Sequence, residues 1–144
     1  AFQVKGERVA PNICYEDLFG EELAARFVDM NEAPTILANL SNIGWFGDTI
    51  AIAQHLNISR LRTLEFQVPM VRATNTGATA AIDHRGAVTA QLAPFTRGVL
   101  DAQVEGRRGA TPYVRWVGAF GLWPMALLAL LLVAVLGRWK RAPS

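Results

Sequence analysis

Cys14 is the residue of this sequence best suited to covalent chemistry, since it is the only cysteine. A lone cysteine cannot form an intramolecular disulfide, and a free thiol in an oxidising compartment is a liability unless it has a use. An apolar run precedes Cys14 and a helical pattern follows it, which predicts a strand-to-helix turn. There the helix amino terminus favours the thiolate, and the amide of Tyr15 can face an oxyanion. Cys14 is therefore a candidate nucleophile, with a buried structural cysteine as the alternative.

Three other titratable residues are candidate partners of the thiol. Glu16 can act as a base or hydrogen-bond partner, or it can support the first helical turn electrostatically, which is the default interpretation. His55 and His84, the only histidines, are interpreted as structural or exposed, because spacing alone brings neither to the thiol. No set of Cys, His and carboxylates has metal-ligand spacing, and no glycine-rich phosphate loop occurs, so we expect neither a metal nor a cofactor.

Two adjacent aromatic residues, Trp45 and Phe46, lie in a polar loop between Gly44 and Gly47. One interpretation is a loop plugged into the core. The other is an apolar gate or acyl-chain contact near a membrane, because exposed aromatic residues in loops usually serve recognition.

The elements predicted around these residues alternate between strands and helices. In chain order they are a strand over 8–14, a helix over 16–30, a strand over 35–40, a helix over 48–66, and strands over 70–74, 78–82, 88–92 and 99–104. Within the second helix, Ile52, Leu56 and Leu64 are predicted to face a core. This order favours an α/β fold with helices packed on a mixed sheet.

A single transmembrane helix is predicted over residues 116–136, which carry no charge and can span the roughly 30 Å of a bilayer core. A linker rich in Gly and Arg, 105–115, precedes it. The basic tail, 137–144, predicts a cytoplasmic end and places the rest of the chain outside the cytoplasm. A buried helix of a soluble core is the alternative, and the length of the uncharged stretch argues against it.

Length and composition fit one domain plus an anchor: 144 residues, 51% hydrophobic and 18% charged. The net charge is only +2, and no basic face stands out, so we expect no nucleic-acid partner. The chain opens at Ala1 without the features of a signal peptide. We expect it to be the carboxy-terminal piece of a longer protein.

Several ordered motifs together resemble a known family. They are Ile13-Cys14-Tyr15-Glu16, Ser41-Asn42, Trp45-Phe46-Gly47, Gln54-His55, Arg62-Thr63-Leu64-Glu65 and Thr74-Asn75-Thr76-Gly77. This set is similar to the carbon–nitrogen hydrolase (nitrilase) domain of the apolipoprotein N-acyltransferase family. The resemblance implies a nitrilase-like αββα sandwich, of which residues 1–104 are the carboxy-terminal part, on the periplasmic side of a bacterial inner membrane.

The resemblance also implies a mechanism and a set of site residues. Cys14 is the expected nucleophile of a Glu–Lys–Cys triad; it takes an acyl chain from a phospholipid as a thioester and passes it to the α-amino group of a diacylglyceryl-cysteine apolipoprotein. Tyr15 and Glu16 match positions that support the site. Trp45 and Phe46 match a mobile loop that meets lipid substrates, and Asn42 of the same loop is also expected to contact substrate.

The family places its base Glu and its oxyanion-stabilising Lys before the cysteine, and neither is found here. Lys5 lies in a predicted turn and is not assigned the missing role. We therefore expect the upstream part of the same enzyme to be a required partner, and the isolated chain to be inactive.

Two other functions stay open: a membrane-anchored amidase of the same superfamily, and an anchored interaction module without catalysis. Acyl transfer is favoured by Trp45-Phe46 together with a membrane helix, since both reacting partners would be lipids.

Overall fold

The computed structural model describes residues 1–139. Its centre is a six-stranded mixed sheet whose spatial order follows the chain. The strands are β1 (Phe2–Val4), β2 (Glu7–Ile13), β3 (Ile36–Ser41), β4 (Met70–Thr74), β5 (Ala80–Ile82) and β6 (Val88–Gln91). β2, β3 and β4 are mutually parallel, whereas β1, β5 and β6 pair antiparallel with their neighbours.

The described residues form four α-helices: α1 (Gly20–Ala24), α2 (Ala51–Phe66), α3 (Pro112–Phe120) and α4 (Trp123–Trp139). Short 3₁₀ turns occupy Cys14–Leu18, Ala25–Phe27 and Gly44–Phe46. The parallel strands are joined through helical segments, as crossover connections require. The predicted α/β class with a mixed sheet is thus confirmed.

The hydrophobic core lies between one face of the sheet and helices α1, α2 and α3. Ala10, Leu37 and Met70 point from the three parallel strands toward this side and are buried. The rings of Phe27 and Phe66 stack over them, with centroids 4.9 Å apart. The remaining buried members of this cluster are Leu23, Ala24, Ala33, Val68 and Val114.

Helix α3 is attached to the same side of the sheet through its first turn. The hydroxyl of Thr111 accepts a hydrogen bond from the Val114 amide at 3.1 Å and donates to the Glu65 carbonyl at 2.6 Å. This cap fixes the beginning of α3 to the end of α2. Tyr113 packs its ring 5.9 Å from that of Phe66.

The opposite face of the sheet is apolar and largely open. Phe2 pairs with Val9 and Ile13 with Leu40, which places these side chains on one face. Phe2, Ile13 and Leu40 are exposed in this structure. We call this surface the open sheet face.

Two of the elements predicted within residues 1–104 are wrong. The helix expected over 16–30 is divided into a 3₁₀ turn, α1 and a second 3₁₀ turn; the backbone at Phe19, with φ −95° and ψ 80°, is not helical and interrupts it. The strand expected over 99–104 does not form, and Val99 is exposed. An apolar segment without a neighbouring strand to bond has no reason to become one.

The single helix expected over 116–136 is also wrong, because two helices, α3 and α4, cover this region. α3 ends at Phe120 and is followed by Gly121, whose φ of 56° lies in the left-handed region. Pro124 has no amide hydrogen with which to continue the α3 ladder. No described helix is by itself long and apolar enough to cross a bilayer; α3 and α4 pass that test only as a pair, bent by 74° at their junction.

The domain boundaries expected from the sequence remain predictions. Residues 105–111 carry no regular secondary structure, whereas 112–115 already belong to α3. The end of the basic tail, 140–144, lies outside the described residues.

Candidate active site

The carboxyl ends of the three parallel strands meet at one edge of the sheet, which is where open α/β sheets bind ligands. Cys14 directly follows β2, Asn42 follows β3 and Asn75 follows β4. The Cys14 Sγ lies 3.9 Å from the Asn42 carbonyl oxygen. The side-chain amide of Asn75 donates to the Asn42 Oδ1 at 2.7 Å and accepts from the Ile43 amide at 3.2 Å. These bonds hold the loops after β3 and β4 together beside the thiol.

Cys14 occupies the predicted turn between a strand and a helical segment, and it does so in a strained conformation. Its φ is 53°, a value uncommon for residues other than glycine, and such strain costs on the order of 1–3 kcal/mol. The thiol itself is partly exposed. The buried structural cysteine considered as an alternative does not fit this exposure. A strained, accessible side chain at a strand-to-helix turn is the arrangement used to present nucleophiles.

Glu16 stabilises this turn and does not approach the thiol in a hydrogen bond. Its Oε2 accepts a hydrogen bond from the Ile13 amide at 2.6 Å, in the manner of a carboxylate at a helix start. The geometry suits the default interpretation of Glu16. Its supporting role in catalysis stays a prediction.

The backbone carbonyl of Cys14 receives two side-chain donors. Asn39 Nδ2 lies 2.9 Å and His55 Nε2 3.2 Å from this oxygen. Ser41 donates its hydroxyl to Asn39 Oδ1 at 2.7 Å, and Asn39 Nδ2 also reaches the Asn12 Oδ1. Because the Cys14 carbonyl oxygen can only accept, the end of the Asn39 amide that faces it must be the nitrogen, which determines the orientation of Asn39.

His55 belongs to a buried network that the sequence analysis missed. Its Nε2 lies 3.0 Å from the Asp17 carboxylate, and its Nδ1 lies 3.2 Å from Arg72 Nη2. Carboxylate and carbonyl oxygens only accept and guanidinium only donates, so the proton is on Nε2 and the lone pair on Nδ1. The single Nε2 proton of His55 is therefore shared between the Asp17 carboxylate and the Cys14 carbonyl, an arrangement that fits the structural interpretation of His55.

Ser59 completes this network between the two charged groups. Its hydroxyl donates to Asp17 Oδ2 and accepts from Arg72 Nη1. The Arg72 side chain also donates to the His55 carbonyl at 2.7 Å. Burial lowers the pKa of the Arg72 guanidinium, and the nearby Asp17 carboxylate partly offsets this effect.

Helix α2 did carry a signal for this network. Its buried positions are Ile52, His55, Ser59, Thr63 and Phe66, which repeat at helical spacing. Three of these buried residues are polar. A prediction that looks only for apolar residues therefore assigns the wrong face of α2 to the core. Leu64, predicted to face the core, is instead half exposed.

An apolar cavity of about 400 Å³ opens beside the thiol. Its walls include Cys14, Leu18, Ile43, Phe46, Ala51 and Ile58. Phe46 is thus brought to the thiol, whereas Trp45 is 85% exposed and does not line this cavity. Asn42 offers its backbone carbonyl to the thiol while its side chain binds Asn75. Within residues 1–139 there is no group of three or more potential metal ligands.

Comparison with known proteins places this site in a family. Residues 1–113 match the carbon–nitrogen hydrolase family. The chain belongs to this family. Two curated relatives are both named apolipoprotein N-acyltransferase. The protein from Verminephrobacter eiseniae (strain EF01-2) is 66% identical over 129 residues, covering 85% of this chain and 24% of that protein. The protein from Ralstonia nicotianae is 55% identical over 139 residues, covering 96% and 26%.

These relatives confirm the resemblance inferred from the motifs, and the chain spans about a quarter of their length. Solved structures agree on the fold. A carbon–nitrogen hydrolase from Helicobacter pylori G27 matches with a TM-score of 0.53 at 12% identity, over 62% of this chain and 38% of that one. The C. elegans NitFhit protein matches with a TM-score of 0.50 at 24% identity, over 60% and 22%. The nitrilase-like fold is thereby shown.

Proposed function

We propose that this chain supplies the nucleophile and the acyl-chain cavity of an apolipoprotein N-acyltransferase. The observation that carries the proposal is the juxtaposition of a strained, accessible thiol at Cys14 with an apolar cavity of about 400 Å³. A covalent acyl-enzyme needs both a nucleophile and a place for the chain that it holds. The names of the relatives support the same activity.

The first half-reaction forms a thioester. The Cys14 thiolate attacks the ester carbonyl of a phospholipid, and the resulting oxyanion accepts a hydrogen bond from the Tyr15 amide. The carbon–oxygen bond then breaks, the lysophospholipid alkoxide takes a proton, and the acyl group remains on sulfur. Phe46 and the other apolar walls contact the chain, and Trp45 and Asn42 are proposed to meet substrate at the rim.

The second half-reaction transfers the acyl group to the apolipoprotein. The α-amino group of the diacylglyceryl-cysteine attacks the thioester carbonyl, a carbon–nitrogen bond forms, the carbon–sulfur bond breaks, and the amine gives up a proton. We propose that the base Glu and the second oxyanion donor, a Lys, come from the upstream part of the same enzyme. Glu16 stabilises the turn that carries Cys14.

Both substrates are lipids, so the site must lie next to a bilayer. Helix α4 is apolar along most of its length, which supports attachment to the bacterial inner membrane with the catalytic part, within an αββα sandwich, in the periplasm. An engineered cysteine at Val99 in the Cys14→Ala protein should react with a membrane-impermeant maleimide in intact spheroplasts. Labelling only after lysis would show that residue 99 lies on the cytoplasmic side, which contradicts this topology.

The activity is tested with the full-length enzyme, a phospholipid donor and a diacylglyceryl peptide with a free α-amino group. We expect wild type and Val99→Ala, a truncation of an exposed side chain, to form the N-acyl peptide, and Cys14→Ala to form none. Free fatty acid without N-acyl peptide would instead assign a hydrolase. Undiminished transfer by Cys14→Ala would overturn the proposal.

A further inference from the structure

We propose that Asn39 and His55 are positioning residues that aim the Tyr15 amide at the oxyanion by holding the Cys14 carbonyl from the buried side of the turn. This inference rests on the proposed function, because it assigns a task within the acyl-transfer reaction. The donor atoms, Asn39 Nδ2 and His55 Nε2, bond to the Cys14 carbonyl and not to the thiol, although the His55 side chain also lines the apolar cavity.

The geometry follows from the peptide that joins Cys14 to Tyr15. Its carbonyl oxygen and amide hydrogen belong to one rigid trans plane and point in opposite directions. Asn39 and His55 draw the oxygen toward the interior, at 2.9 and 3.2 Å. The Tyr15 N–H must then point away from that interior. It is also one of the first amides of a helical segment, where intrahelical acceptors are lacking.

The two donors come from different elements and are themselves held in place. Asn39 lies on β3, is 1% exposed, and is oriented by the Ser41 hydroxyl. His55 lies on α2, is 8% exposed, and is oriented by Arg72 and Asp17. Each donor is thus fixed by partners that belong to the core. A flexible surface side chain could not define a peptide plane in this way.

The conformation of Cys14 explains why such support is needed. Its φ of 53° is unfavourable for a residue with a Cβ and persists only when surrounding contacts enforce it. The Cys14 carbonyl oxygen accepts from Asn39 Nδ2 and from the His55 Nε2–H, a proton that His55 shares with the Asp17 carboxylate. Removing either donor allows the peptide to rotate toward a relaxed conformation, and rotation displaces the Tyr15 N–H from the oxyanion.

Two reactions of the Cys14 thiol distinguish a misaligned Tyr15 amide from a general loss of folding or thiol reactivity. Acylation by p-nitrophenyl acetate passes through an oxyanion and releases p-nitrophenolate. Alkylation by iodoacetamide displaces iodide at a saturated carbon and forms no oxyanion. A residue that only aims the Tyr15 amide should therefore affect the first reaction and spare the second.

The test uses full-length enzyme carrying Asn39→Ala, His55→Leu or His55→Gln. Loss of an oxyanion donor lowers rates about a hundredfold to a thousandfold, so misalignment should slow acylation by about tenfold to a hundredfold in Asn39→Ala and His55→Leu. Alkylation should stay within about twofold of wild type. His55→Gln keeps a nitrogen donor near the Nε2 position and should recover most of the acylation rate. Asn57→Ala, the same truncation at an exposed site on α2, should match wild type.

An equal decrease in the rates of acylation and alkylation would overturn the positioning role. An unchanged acylation rate would overturn it as well. Failure of His55→Gln to exceed His55→Leu would also contradict it. If His55→Leu does not accumulate, Asn39→Ala on another element decides the question by the same two rates. Acylation of wild type by p-nitrophenyl acetate but not by phospholipid would contradict only the proposed acyl donor, and the variants would still decide the positioning role.

Discussion

Cys14 and Phe46 define the site at the scale of single residues. In the proposed reaction the thiol provides the reactive atom, and Phe46 forms part of the apolar wall beside it. Trp45, its neighbour in sequence, is directed elsewhere and is largely exposed. The two adjacent aromatic side chains of the loop therefore differ in placement: Phe46 lines the cavity and Trp45 does not.

Truncation of Phe46 should raise KM for the acyl donor, and the increase should be larger for longer acyl chains. Phe46→Ala removes apolar contact worth about 1–2 kcal/mol for a long chain, so KM for a phospholipid should rise about tenfold. An acetyl donor does not reach the wall and should react at the wild-type rate. The measurement is KM against acyl-chain length.

Phe95→Ala serves as the matched control, because Phe95 is half exposed and does not line this cavity. An equal effect of Phe46→Ala on acetyl and long-chain donors would show that Phe46 does not contact the chain.

At the scale of elements, the site depends on how β2, α2 and β4 are joined behind the thiol. Asp17 follows β2, Ser59 lies on α2 and Arg72 on β4, and hydrogen bonds connect all three. Asp17, Ser59 and Arg72 are each at most 3% exposed. Because buried charges are stable only when paired and hydrogen-bonded, these elements are held in one relative arrangement.

Removal of Arg72 should therefore strongly destabilise the packing of α2 on the sheet. Arg72→Met leaves the Asp17 carboxylate buried without a nearby cation, which typically costs about 3–5 kcal/mol. Adding Asp17→Asn should restore a substantial part of the loss, because the unpaired charge is then absent. The measurement is the denaturant midpoint of the full-length enzyme. A double variant as unstable as the sum of both single variants would argue against this coupling.

The contact between α1, α2 and α3 should make stability dependent on pH through Glu65. Burial raises the pKa of Glu65 above the ordinary 4.5, although Arg62 acts in the opposite direction. A raised pKa means that the protonated form is favoured in the folded state. The contribution of Glu65 is thus fully present below about pH 4.5 and is lost as the pH rises through the folded pKa.

Glu65→Gln resembles the protonated form at every pH. Its unfolding midpoint should equal that of wild type at pH 4 and exceed it at pH 7. Glu105→Gln, at a side chain that is 85% exposed, should show no such crossover. Lower stability of Glu65→Gln at both pH values would mean that its pair with Arg62 outweighs its burial.

The sequence predicted those elements whose causes are local. The apolar run before Cys14 and the periodicity after it were sufficient for the strand, the turn and the candidate nucleophile. The partners of the Cys14 carbonyl, Asn39 and His55, lie 25 and 41 residues away along the chain. Asn39 on β3 and His55 on α2 approach Cys14 only in the folded sheet with its crossover connections. No local sequence pattern could therefore reveal these contacts. The sequence predicted a single helix in place of α3 and α4, because hydropathy carries no information on the backbone conformation at Gly121.

At the scale of the whole molecule, two exposed apolar surfaces would be stabilised by burial against a partner. One is the open sheet face, with Phe2, Ile13 and Leu40 exposed; the other is α4, whose leucine side chains are likewise exposed. Exposed apolar surfaces of this kind mark contacts with protein or lipid. The upstream part of the proposed enzyme would cover the first surface and the bilayer the second.

The isolated chain of 144 residues is therefore expected to aggregate and to transfer no acyl groups. Co-expression with the upstream part should restore both solubility in detergent and acyl transfer. The measurements are size-exclusion chromatography and N-acylation of a diacylglyceryl peptide. Turnover by the isolated chain would show that Lys5, Glu16 or a histidine performs the work assigned to upstream residues.

The central claim is that Cys14 carries the acyl group, and intact-mass spectrometry of the full-length enzyme tests it directly. After incubation with phospholipid and no acceptor, wild type should gain the mass of one acyl chain, mapped to Cys14 and removed by hydroxylamine, since a thioester is cleaved by this nucleophile. Cys14→Ala should gain none. A hydroxylamine-labile acyl adduct of the same mass on Cys14→Ala would contradict the account.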